Sequence, residues 1–129
     1  MFGWRVSRLD PAEPERLVGE LRLAQWAALL LALTAGSSIG LAVAAEHIPS
    51  GTIEVTLGVG FALVASLILT REPRDALLLA AAGFVAHALV DIAHRPGLLS
   101  PALIPRWYAV ACAIFDVVVG AVCYWVRRR

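Results

Sequence analysis

Apolar residues run through this chain in four long blocks, at about 23–45, 53–70, 76–94 and 107–126. Each block is close to the roughly 20 residues that a helix needs to cross hydrocarbon. None alternates polar with apolar as a barrel strand would, and unpaired backbone is intolerable in lipid, so each block reads as a helix. Between them stand Pro49-Ser50-Gly51, then Arg71-Glu72-Pro73-Arg74-Asp75, then a stretch from Arg95-Pro96-Gly97 through Pro101 to Pro105-Arg106. All three breaks combine helix-breaking residues with charge, and short connections make consecutive helices antiparallel neighbours. The pattern predicts an all-α polytopic membrane protein with four transmembrane helices in an up-down bundle.

Composition agrees. Of 129 residues, 60% are hydrophobic and 16% charged, with a mean hydropathy of +0.77, where a soluble domain is about 45–50% apolar and about 25% charged. A soluble enzyme is thereby excluded. The basic residues are eleven arginines, and their placement sets an orientation. Nine of them (Arg5, Arg8, Arg16, Arg22, Arg71, Arg74, Arg127, Arg128 and Arg129) fall on one side of such a bundle, and only Arg95 and Arg106 on the other. The positive-inside rule then puts both termini in the cytoplasm, N-in and C-in, in a membrane of the bacterial inner type. Trp26 and Tyr124-Trp125 mark the inner interface, Trp107-Tyr108 the outer one. The chain divides into a cytoplasmic segment 1–22, a transmembrane domain 23–126 and a basic cytoplasmic tail 127–129.

A net charge of +1 with no basic cluster argues against nucleic acid as a partner. Ala42-Val43-Ala44 has the small-residue character of a signal-peptide cleavage site. The acids Asp10, Glu13, Glu15 and Glu20 and the length of the apolar run favour a retained anchor instead. Segment 1–22 lacks the basic excess of a lipid-binding amphipathic helix, so it reads as a cytoplasmic extension of the first span starting after Pro14. Cys112 and Cys123 are eleven residues apart on one predicted helix, about 16 Å at about 1.5 Å per residue, too far for a disulfide. The first span carries a GxxxG pattern, Gly36 to Gly40, and the second carries Gly58, Gly60 and Ser66. These small residues predict close helix packing, within the bundle or in a homodimer.

The chemistry lies in the polar residues of the apolar blocks. In the third, His87, Asp91 and His94 follow at spacings of four and three, which puts all three on one helical face. The fourth carries Asp116, with Cys112 one turn away, and counting inward from the outer ends sets Asp116 at nearly the depth of His87. An ionised Asp at the bilayer centre costs about 2.5–3.5 kcal/mol on the insertion scale, so it is paired, protonated or open to a cavity. His87 and Asp116 are therefore expected to form either a neutral hydrogen-bonded pair or an ion pair. His87, Asp91 and Asp116 are candidates for acid/base catalysis on a lipid-soluble substrate. His87, Asp91 and His94 are candidate ligands for a divalent metal such as Zn²⁺, Fe²⁺ or Mn²⁺. His87, Asp116 and Cys112 are candidates for binding a hydrophobic ligand. Glu46, His47 and Glu54 gather at the same end and read as a solvated loop rim.

The stripe His87, Asp91, His94, followed by Pro96, Trp107 and Asp116, resembles small bacterial four-helix integral membrane proteins, mostly without an assigned activity, over Gly83 to Val122. The resemblance implies a four-helix membrane fold. Small multidrug exporters are similar in size, but they carry a coupling glutamate in the first span, whose interior here has no acid. Three functions stay open. The first is a membrane protein binding a metal or hydrophobic ligand at an intramembrane His/Asp site in its outer half. The second is a structural or accessory subunit whose polar residues clip helices together, and the third a dimeric proton-coupled transporter.

Overall fold

The computed structural model describes residues 6, 13–45, 51–94, 99 and 104–129. Among these the chain forms four helices: α1 (Pro14–Ala44), α2 (Gly51–Ile68), α3 (Pro73–Ala93) and α4 (Arg106–Arg128). Each is long and apolar enough to cross a membrane. At about 1.5 Å per residue α2 is about 27 Å long, near the roughly 30 Å of a hydrocarbon core. The helix ends follow local chemistry. Pro14 and Pro73 each open a helix at a position where a missing N–H costs nothing. Arg127 and Arg128 in the last turn of α4 complement the negative end of its dipole. α1 runs without interruption from Pro14, so the charged residues after that proline belong to the same rod as the first apolar block.

Close approaches fix the topology. Gly58 meets Ala35 and Ile39, while Gly51 meets Ala42, so α2 runs antiparallel to α1. Gly120 packs on Ala81 and Phe84, and further along Asp116 meets His87, so α4 runs antiparallel to α3. Gly83 of α3 lies between Leu31 of α1 and Val64 of α2. The result is an up-down-up-down bundle in which α1 and α3 each touch all three other helices and α2 and α4 do not meet. Half of the apolar window of α3 is buried, against 22–28% for the others, which makes α3 the centre of the bundle.

The interior is built largely from alanine, including Ala24, Ala27, Ala28, Ala35, Ala65, Ala76, Ala80 and Ala81, with Leu31, Ile68, Leu77 and Phe84 as the larger members. Large apolar side chains instead face outward on every helix: Leu29 and Leu33, Leu63 and Leu67, Val85 and Leu89, Ile114 and Val118. A water-soluble protein does not expose apolar surface continuously around its girth. Small residues inside and bulky ones outside are what helix association in lipid favours, and they suggest a multi-pass membrane protein.

Of the two contacts expected for the GxxxG pattern, the one within the bundle is corrected. A Cβ at Gly36 or Gly40 would meet nothing within 4 Å, so within this fold those glycines are not at a helix contact. The close crossing is carried by Gly58, where a Cβ would stand 2.5 Å from Ile39 Cγ1 and 3.1 Å from the Ala35 carbonyl oxygen.

Candidate functional site

Each helix buries a narrow stripe, and the polar residues sit in register with it. On α4 the stripe is Ala109, Ala113, Asp116, Gly120, Cys123 and Val126, steps of three and four that keep one face inward. On α3 it passes through Ala80, Phe84, His87 and Asp91. Because α3 and α4 are antiparallel and in close contact, the two stripes meet in the half of the bundle away from the termini. There His87 Nδ1–H donates to Asp116 Oδ2 at 2.7 Å, and Asp91 Oδ2 stands 3.5 Å from the same nitrogen. The three residues are 3%, 0% and 5% exposed for His87, Asp116 and Asp91, and one ligand atom from each falls within 4.8 Å of the others. Phe61 of α2 closes one side, its ring edge-on to the imidazole at 4.8 Å between centroids.

The cluster has more acceptors than donors. One imidazole N–H faces two carboxylates, and both Asp91 Oδ2 and Asp116 Oδ1 are buried without a hydrogen-bond partner. An unsatisfied buried acceptor costs about 1–3 kcal/mol, more when charged, so such groups need an explanation beyond holding helices together.

His94, expected beside His87 and Asp91 in a metal set, is engaged elsewhere. Its Nδ1–H donates to the Val90 carbonyl at 2.9 Å, the bond back along its own helix, and its Nε2 lies 2.9 Å from Glu54 Oε1. With both ring nitrogens occupied, the third member of the donor set is Asp116 of the neighbouring helix. Glu54, expected on a solvated rim, is buried. It belongs to the inward stripe of α2 with Gly58, Ala65 and Ile68, a register already visible as spacings of four, seven and three. Glu46, His47 and Pro96 lie outside the described residues. Cys112 is a half-buried free thiol one turn from Asp116 and is not part of the His87 group. One turn further, the Tyr108 hydroxyl donates to Ser37 Oγ at 3.2 Å, tying α4 to α1.

At the end bearing the termini, a second buried polar contact had only a spacing to announce it. Arg16 and Glu20, four apart on α1, are both buried. Arg16 Nε donates to Glu20 Oε1 at 2.8 Å and its terminal nitrogen donates to the Val126 carbonyl at 3.0 Å. The contact gives a carbonyl in the last turn of α4, which also accepts from the Arg129 N–H, a cationic donor, a favourable placement at that end of a helix. Arg74, exposed, approaches Glu20 Oε2 at 3.8 Å. These residues join helix ends and have the complementary charges of a fastening.

No protein family, no curated protein and no solved structure matches this chain.

Proposed function

We propose that this is a small multi-pass protein of the bacterial inner membrane, N-in and C-in, that holds a divalent metal ion at His87, Asp91 and Asp116 in the outer half of the bilayer. The observation that carries the proposal is the surplus of buried acceptors: two carboxylates converge on one imidazole, and one oxygen of each accepts no hydrogen bond, that of Asp91 standing 3.5 Å from His87 Nδ1. A helix clip is complete with one donor and one acceptor, as His94 with Glu54 illustrates. A divalent cation balances two carboxylates and takes imidazole nitrogen as a neutral ligand, and this donor set suits Zn²⁺, Fe²⁺ or Mn²⁺. Three protein ligands leave a coordination position open, which is the pattern of catalytic metal centres and of metal-polarised ligands. The orientation is supported by the arginine distribution, with nine on the side of the termini.

The accessory-subunit reading applies to the Glu54–His94 and Tyr108–Ser37 contacts, whose groups satisfy one another. The test is elemental analysis of detergent-purified protein from metal-supplemented growth, wild type beside His87→Ala and His94→Ala. Stoichiometric metal retained in His94→Ala and lost in His87→Ala is the expected result. Absence of metal from the wild type, before and after titration with Zn²⁺, Fe²⁺ and Mn²⁺, overturns the proposal.

A further inference from the structure

Two pairs of donor side chains come level with each other where α3 packs on α4. On α3 the pair is His87 and Asp91, and on α4 it is Cys112 and Asp116, each pair four residues apart. That spacing puts both members on one helical face with Cβ atoms about 5–6 Å apart. It is also the spacing at which two histidines of one helix share a zinc ion. Because the helices are antiparallel, four residues forward on α3 reach the same depth as four residues back on α4. His87 is level with Asp116, to which it donates at 2.7 Å, so Asp91 is level with Cys112.

The surroundings of the Cys112 thiol agree with this register. The polar groups that bear on it are the Tyr108 hydroxyl, one turn outward, and the carboxylates of Asp91 and Asp116. Other donors in the region are committed. His94 uses both ring nitrogens, Glu54 is bonded to His94, and Tyr108 donates to Ser37. Cys123 lies in the apolar core, about two turns inward from Asp116. Asp116 itself is wholly buried, and its Oδ1, one turn from Cys112, accepts no hydrogen bond.

We infer that Cys112 is the fourth ligand of this centre, taking the position that His87, Asp91 and Asp116 leave open, and that its thiolate makes the centre prefer Zn²⁺ to Mn²⁺. The inference rests on the reading of those three residues as a metal centre. In the metal-free arrangement the thiol stands beside Tyr108, outside the group whose donor atoms lie within 4.8 Å of one another. Rotation about the Cα–Cβ bond, from one staggered position to another, is the adjustment that carries the sulfur to the ion. Zn²⁺ accepts thiolate, imidazole and carboxylate together in closed four-ligand sites. Thiolate is a soft donor, whereas Mn²⁺ is suited by carboxylate and water, so the sulfur favours the first ion over the second. The thiol proton passes to solvent as the ion enters, because a ligating cysteine must be deprotonated.

The experiment titrates Co²⁺ into full-length protein in detergent micelles, wild type beside Cys112→Ser and Cys123→Ala. Visible d–d bands report that the ion is held, and a near-ultraviolet sulfur-to-cobalt charge-transfer band reports a thiolate ligand. Wild type and Cys123→Ala should show both. Cys112→Ser should keep the visible bands and lose the charge-transfer band. Competition against a chromophoric chelator should find its Zn²⁺ affinity lowered several-fold and its Mn²⁺ affinity unchanged. A second measurement needs no variant: alkylation of wild-type Cys112 by iodoacetamide, followed by peptide mass spectrometry, should be slowed by Zn²⁺ and not by Mn²⁺. Visible bands without charge transfer in the wild type overturn the inference and leave the three-residue centre standing. A charge-transfer band that survives Cys112→Ser, or an alkylation rate indifferent to Zn²⁺, does the same. Absence of visible bands from the wild type removes the metal centre and this inference with it.

Discussion

Replacing Asp91 by Asn should reverse the stability order of the wild type and the variant, depending on whether metal is present. Asp91 Oδ2 and Asp116 Oδ1 are buried acceptors that take no hydrogen bond, and the ligand atoms of Asp91, Asp116 and His87 lie within 4.8 Å of one another. Asn keeps the size of Asp, removes one buried acid and supplies an NH₂ that reaches toward the spare Asp116 oxygen. Satisfying one buried acceptor is worth about 1–3 kcal/mol, so chelator-treated Asp91→Asn should be more stable than chelator-treated wild type by about that much. Metal reverses the comparison. An ion at a hundredfold its Kd stabilises the folded state by about 2.7 kcal/mol, and the variant has lost one of three ligands. Addition of Zn²⁺ or Mn²⁺ should therefore raise the wild type to or above the variant and move the variant little. The assay is unfolding in mixed micelles by titrated dodecyl sulfate, followed by far-ultraviolet circular dichroism, in chelator and in excess ion. The reasoning fails if the variant is less stable than the wild type in chelator and neither protein responds to metal, since Asp91 would then be an ordinary helix clip.

Other outcomes follow from the same contacts. Gly58→Ala sets a Cβ 2.5 Å from Ile39 Cγ1 and 3.1 Å from a backbone oxygen, so an overpacking cost of about 1–3 kcal/mol opposes the roughly 1 kcal/mol helix-propensity gain; Gly36→Ala meets open space and should gain stability. Finding Gly36→Ala the more damaging in the same unfolding assay would contradict the packing of α1 on α2, or place Gly36 in a contact between copies. Glu20→Ala removes the carboxylate that accepts from the buried Arg16 Nε and should cost about 1.5–3 kcal/mol, as hydrogen bonds to charged groups do, seen as loss of folded protein on size exclusion in mild detergent. Wild-type yield from that variant would show that Arg16 finds its compensation elsewhere. Glu54→Gln should cost about 0.6–1.7 kcal/mol, as interhelical hydrogen bonds in membranes do, and leave metal content unchanged. Metal loss in Glu54→Gln would extend the centre to His94.

What the sequence determines by itself is what depends on local spacing and bulk solvent preference. Block length and the absence of alternation dictate four helices, because an apolar segment in lipid has to satisfy its own backbone. Pro14, Pro73 and the proline-rich breaks place helix ends, and a period near 3.6 puts His87 and Asp91 on one face of α3. The depth match between His87 and Asp116 was legible for the same reason, since rise per residue is fixed and α3 and α4 are antiparallel. Partner choice was not legible. His87, Asp91 and His94 share a face, yet a face is wide enough to meet two neighbours. α3 sits at the centre of the bundle, so its one polar stripe divides: His94 turns to Glu54 on α2, and His87 and Asp91 turn to Asp116 on α4. Gly36 and Gly40 carry the motif of a close crossing, but the azimuth of α1 is set by the alanine stripe that packs best, and it points them outward. Arg16 and Glu20 look like interface residues until α4 delivers the Val126 carbonyl beside them. Helical periodicity is a property of one segment, whereas the rotation of each helix about its axis minimises the packing energy of all four together, and only the assembled bundle decides which polar atoms meet and which stay without a partner.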